Sequence, residues 1–106
     1  MTTFDKREES FEKKFALDEE QKFKAEARRN KLLGLWAAAQ LGISGDAANS
    51  YAREVVAADF DAGGDGVVRK VVADLAAKGI AVTQAQLHAK MDELMAQAVA
   101  QIRAGT

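Results

Sequence analysis

From Leu32 onward the apolar positions fall at helical spacing. The run KLLGLWAAAQLG supplies Leu32, Leu33, Leu35 and Trp36 and stops at Gly42. A glycine there can take the left-handed backbone that ends a helix, with Ile43 folding back as its apolar partner. Ser44 is a suitable cap for a second helix. The apolar positions of that helix are Ala48, Tyr51, Ala52, Val55, Val56 and Phe60, which follow the i, i+3, i+4, i+7 template. It runs out at Gly63 and Gly64, and Asp65 can cap a short third helix whose buried stripe is Val68, Val71, Val72 and Leu75. Gly79 ends that helix and Ile80 is placed to pack back on Leu75. The last helix begins at Thr83. Thr83 and Gln86 make a T-x-x-Q capping box, and Val82 and Leu87 are spaced as a hydrophobic staple. Leu87, Met91, Leu94, Met95, Ala98 and Ile102 then share one face.

No segment alternates over a strand length. The valines of the third helix have β propensity, but their spacing is helical and period outweighs propensity. The expected fold is therefore all-α: a four-helix bundle over residues 19–106, with helices at about 19–41, 45–62, 66–78 and 84–104. Gly34, inside the first of these, costs about 1 kcal/mol relative to alanine. It either admits a neighbouring helix or is simply tolerated, and the pattern slightly favours tolerance.

Ahead of the bundle the pattern changes. Between Asp5 and Lys31 there are nine basic and eight acidic residues, leaving six and eight for the rest of the chain. Three acid-before-base pairs stand at i, i+4: Glu9 with Lys13, Asp18 with Lys22, and Glu20 with Lys24. Together they contribute roughly 1–1.5 kcal/mol. Ordering the backbone costs about 1–2 kcal/mol for each residue, so ion pairs alone do not hold this segment in a helix. Residues 1–18 are expected to be mobile when the protein is free, and only the part near KAEARRNK borrows stability from the bundle.

The phenylalanines alter that picture. On a helix Phe4, Phe11 and Phe15 fall in a narrow sector, with Phe23 about 80° away. Burying three such rings contributes about 5–8 kcal/mol, enough to offset part of the ordering cost. One reading is an amphipathic segment that becomes helical when it docks in a groove. The other is that the rings pack on the bundle and lengthen its first helix. The spacing alone does not separate the two.

Composition narrows the function classes. With 106 residues the chain fits one domain, and 48% hydrophobic residues suffice for a core. Absence of cysteine excludes disulfides and thiolate metal sites, and absence of proline suits a helical chain. A net charge of -1 is too balanced for a dedicated nucleic-acid binder. No apolar run approaches a membrane span, so a soluble cytosolic protein without direct membrane insertion is expected.

Candidate chemistry is sparse. DAGGDG, from Asp61 to Gly66, fails as a calcium loop because its third and twelfth positions are Gly63 and Val72. It reads as a flexible connection, with a weak anion nest as the remaining alternative. His88 is the only histidine and anchors no ordinary zinc site. Asp92 and Glu93 are adjacent and diverge on a helix, so they make no carboxylate pair. Arg28, Arg29 and Lys31 form a short basic patch diluted by acids, for which a solvated helix face is the ordinary reading. No catalytic constellation, cofactor site or metal site is found, and an enzyme is not expected. Two further readings stay open: a small helical adaptor, and an adenine-nucleotide sensor using the Gly63–Gly66 stretch or Arg28 and Arg29.

FKAEARRNKLLGLWAA, from Phe23 to Ala38, is the most distinctive run. It resembles the alphaproteobacterial zeta subunit family, inhibitors of the F-type ATP synthase. FDKREESFEKKFALDEEQ, YAREVVAADF and KMDELMAQAVAQI resemble other parts of that family, while the stretch around Gly63–Gly66 is less acidic than the connection expected there. The resemblance implies a four-helix bundle carrying an inhibitory N-terminal segment. It implies that the segment enters a catalytic interface of the soluble sector as a helix and blocks rotation in the hydrolytic direction. On this chain the segment maps to residues 1–18, with Phe4, Phe11 and Phe15 as anchors and Glu8, Glu12, Lys13 and Lys14 as charged contacts. Arg28, Arg29 and Trp36 are candidates for a docking surface on the body. A monomer when free, peripheral to the inner membrane through the synthase, is the expected state.

Overall fold

Asp18 opens the first helix. A computed structural model of the protein describes residues 18–105, and in it α1 spans Glu19–Gln40. The Asp18 backbone is extended, and its carboxylate accepts the Gln21 N–H at 2.7 Å. The Gln21 side chain accepts the Asp18 N–H in return, at 3.5 Å. Glu19 and Glu20 lie in the first turn, where the helix end is partly positive. At the far end the Gly42 N–H bonds to the Ala39 carbonyl and the Ile43 N–H to the Ala38 carbonyl, at 3.2 and 2.8 Å. This is the pairing that satisfies the last carbonyls of a helix, and Ile43 packs on the core as expected.

The second element, α2, is a correction. It runs Gly45–Ala76 and is helical except at Gly63, where φ is 70° and ψ is -165°. Tyr51 donates its hydroxyl proton to Asp74 Oδ2 at 2.7 Å. On a straight helix residues so placed would stand about 35 Å apart. The chain therefore doubles back at Gly63, and the two arms of α2 face each other. A single residue makes the reversal because glycine carries no Cβ to resist positive φ.

The four expected helices thus number three among the described residues. The expected third helix is the second arm of α2, and Asp65 lies within the element rather than capping a new one. DAGGDG is accordingly not a loop: it is helical on both sides of one break. Ser44 does occupy the N-cap of α2, but its side chain makes no capping hydrogen bond.

The third helix, α3, spans Gln84–Arg103. Its capping box is present in both directions: Gln86 N–H donates to Thr83 Oγ1 and Thr83 N–H to Gln86 Oε1, each at 3.0 Å. Leu87 is buried and Val82 packs on the same core.

The core gathers where these elements meet. Leu33, Val55, Val67, Val71, Leu75 and Leu87 are fully buried. Ala25, Met95 and Val99, with Ile102 at their edge, form a second cluster between α1 and α3. Trp36 is half-buried, with Lys90 Nζ of α3 at 5.6 Å from its ring centre. Gly34 overturns the expectation of mere tolerance. A Cβ there would stand 2.5 Å from the Ala52 Cα, so α1 and α2 approach backbone to backbone. Phe60 departs from its stripe: it is 69% exposed. It sits on the turn just before the reversal, where its neighbour is the equally outlying Phe23 rather than the core.

Candidate partner-binding surface

Of the residues singled out in the sequence, Phe4, Glu8, Phe11, Glu12, Lys13, Lys14 and Phe15 lie outside the described residues, as does most of the segment 1–18. Arg28 and Arg29 lie within them and part company. Successive residues on a helix diverge by about 100°. Arg28 is half-buried and donates from Nη1 to Gln101 Oε1 of α3 at 3.2 Å. Arg29 turns to its neighbour: its Nε and Nη2 donate to Asn30 Oδ1 at 3.2 and 3.1 Å.

Burial pulls the Arg29 guanidinium below its ordinary pKa, an effect opposed by the carboxylates of Glu26, Asp59 and Asp92. Those three acids belong to α1, α2 and α3, while the hydrogen bonds of Arg29 itself stay on α1, to Asn30. Asn30 is fully buried, and its Nδ2 is the polar atom among them with no hydrogen-bond partner. Both arginines are half-buried, Arg28 bonding across to the last helix and Arg29 to its own neighbour.

Arg28 lines an exposed apolar trough with a basic edge. Phe23 and Phe60 are 57% and 69% exposed, and their rings meet at a centroid distance of 6.3 Å. Two shallow grooves leave this pair and share Lys31 and Val56 as walls. One follows α2 toward Arg53, and the other follows α1 past Ala27 to Ile102 of α3. Every charged side chain along the two is a cation: Lys24, Arg28, Lys31 and Arg53. Lys24, Arg28 and Lys31 stand at i, i+4 and i+7, which sets them in one row on α1. Two large exposed rings thus stand beside a row of basic side chains, of which Lys24 is paired with Glu20 at 3.2 Å.

The sequence reading missed this trough. Its visible signal was the position of Phe23, off the sector of the other phenylalanines, together with KAEARRNK. What hid it was Phe60, which keeps the helical period of its buried neighbours.

Elsewhere the surface offers less chemistry. His88 is exposed, and among the described residues no group of three His, Cys, Asp or Glu side chains is placed to hold a metal ion. No helix of the described residues is long and apolar enough to cross a membrane. Tyr51, Asp74 and Lys70 form a cluster, but its bonds tie the two arms of α2 together.

The described residues form a small all-helical body with an exposed apolar trough edged by basic side chains. A profile of the ATPase inhibitor subunit zeta family matches residues 1–101. The chain belongs to that family. A structure determined by solution NMR is similar, with a TM-score of 0.68 and 54% identity, over 79% of this chain and 96% of the other. No curated protein matches the chain. Membership places the protein among regulatory subunits named for inhibiting an ATPase.

Proposed function

We propose that this protein inhibits the F-type ATP synthase by inserting residues 1–18 as a helix into a catalytic subunit interface of the soluble sector, which stops rotation in the hydrolytic direction. The observation that carries the reading is the reach of the family match, residues 1–101, which takes in the N-terminal segment as well as the body. Phe4, Phe11 and Phe15 supply the apolar anchors, since they share one helical face. Glu8, Glu12, Lys13 and Lys14 are the charged contacts around them. No bond is made or broken by this chain. A helix wedged between two subunits opposes closure of the catalytic site and obstructs the rotor.

The body acts as a second grip outside the crevice. Holding the segment beside its target raises its local concentration, so that a modest affinity of the segment suffices. Arg28 and Arg29 are the arginines offered to that grip, both half-buried on α1. The free protein is a monomer and joins the membrane only through the synthase.

The test is ATP hydrolysis by the isolated soluble sector. The full chain is expected to suppress it, and a chain lacking residues 1–18 to leave it untouched while keeping its helical circular dichroism. Full inhibition by the shortened chain would overturn the reading.

A further inference from the structure

The trough between α1 and α2 has the shape of a seat for a third helix. We infer that it is the face by which the body grips its partner, and that its occupant is an amphipathic helix with carboxylates along its edges, on the outer wall of the subunits that form the catalytic interface. This rests on the function proposed above, and gives its second grip a place and a chemistry.

Shape comes first. Ala27 of α1 and Ala52, Val56 and Ala57 of α2 line the two grooves with small apolar side chains. The Phe23–Phe60 pair stands at one end, with both rings more than half exposed. From Phe23 to Lys31 the trough follows α1 for about 12 Å, a little over two turns of a docked helix. Small residues on the floor let a helix approach closely, and an apolar ridge at i, i+3, i+4 and i+7 fills a furrow of this kind.

Charge then selects among apolar occupants. Among the described residues Lys31 and Arg53 take part in no ion pair. Lys31 is exposed and walls both grooves. Arg53 is exposed and donates to the neutral Ser50 hydroxyl at 3.1 Å, so its charge stays uncompensated. Lys24 and Arg28 add less, being engaged with Glu20 and Gln101. No described acid lines either groove. A second copy of the chain is a poor occupant. In a two-fold contact each trough meets itself, which sets Lys31 and Arg53 against their own copies, and like charges brought together oppose association. A helix whose apolar ridge is flanked by Asp or Glu matches both walls.

Position says where that helix lies. Phe23 is five residues beyond the Asp18 cap of α1, about 7.5 Å along the axis. With residues 1–18 in the catalytic interface, the trough opens just outside it, against the outer wall of the subunits. Docking there holds the segment at the mouth of its target and slows its escape, since both contacts must break together.

Two measurements on the full chain with the isolated soluble sector test the docking. Zero-length carbodiimide coupling of the complex is expected to join Lys31 Nζ to an Asp or Glu side chain on a helix of the soluble sector, identified by mass spectrometry of the linked peptides. The double variant Lys31→Glu, Arg53→Glu changes exposed side chains only, so its circular dichroism is expected to match that of the natural chain. It should reach the same maximal inhibition of ATP hydrolysis but need at least about tenfold more protein for half of it. Added salt should weaken the natural chain more than the variant. Failure of Lys31 to couple, coupling only between two copies of this chain, or an unchanged half-inhibitory concentration in the double variant overturns the docking and leaves the proposed function intact. Coupling as expected, with no inhibition by the natural chain at any concentration, leaves the docking standing and sinks the proposed function.

Discussion

Two residues show how little of the energetics a helical pattern contains. Gly34 looks like a mild defect, since alanine is better in a helix by about 1 kcal/mol. Its position against the Ala52 backbone reverses the sign, because a methyl group must push two helices apart. Gly34→Ala is expected to destabilise by about 1–3 kcal/mol, read as a lower denaturant midpoint; an unchanged or higher midpoint would show that α1 and α2 are not so close. Tyr51 is the second case. Burial, then the bond to Asp74, raises its phenol above the ordinary value of 10.0. A proton held more tightly in the folded state stabilises fully below the unfolded pKa, and that contribution is lost as pH rises through the folded one. Stability is therefore expected to fall above about pH 10, where unfolded tyrosine ionises, and Tyr51→Phe should flatten the fall. Tyr51 is the only tyrosine, so ultraviolet titration reports it alone; a midpoint at the ordinary value would contradict the buried bond.

At the scale of elements, the ends of helices were legible and the joins were not. Thr83 with Gln86, and the pairs Gly42–Ile43 and Gly79–Ile80, are local arrangements fixed by residues a few positions apart, and they stand as read. The Asp18–Gln21 box has the same form, D-E-E-Q, but was hidden among charges attributed to ion pairing. Ser44 shows the converse, a capping residue type that makes no cap bond. Thr83→Ala should accordingly cost about 1 kcal/mol, whereas Ser44→Ala should leave the melting temperature nearly unchanged; equal losses would mean that residue type alone decides. The reversal within α2 could not be read as a reversal, since two glycines and an aspartate are equally the signature of a loop. The Gly63 dihedrals show that the chain turns at one residue, and the Tyr51–Asp74 bond that the two arms meet.

For the whole molecule, period marks which residues are able to be inside, and the finite length of the neighbouring helices decides which of them are. Leu33 and Phe60 both sit on apolar stripes, yet one is fully buried and the other mostly exposed. Leu33→Ala is expected to cost about 2–5 kcal/mol and Phe60→Ser within about 0.5 kcal/mol, measured by chemical unfolding. Comparable losses would place Phe60 in the core after all. The trough exists because Phe60 and Phe23 stand beyond that core, and its basic edge exists because Lys24, Arg28 and Lys31 recur at helical spacing on α1. Each half was present in the sequence; their meeting depends on α2 running back along α1, which no local pattern encodes.

The hinge at Gly63 also bears on how quickly the protein assembles. Tyr51 and Asp74 meet across a short stretch of chain, so closing it forfeits little loop entropy. Contacts between sequence neighbours speed folding, and the middle of the molecule is therefore suited to fold first and to serve as the template on which α1 and α3 arrive.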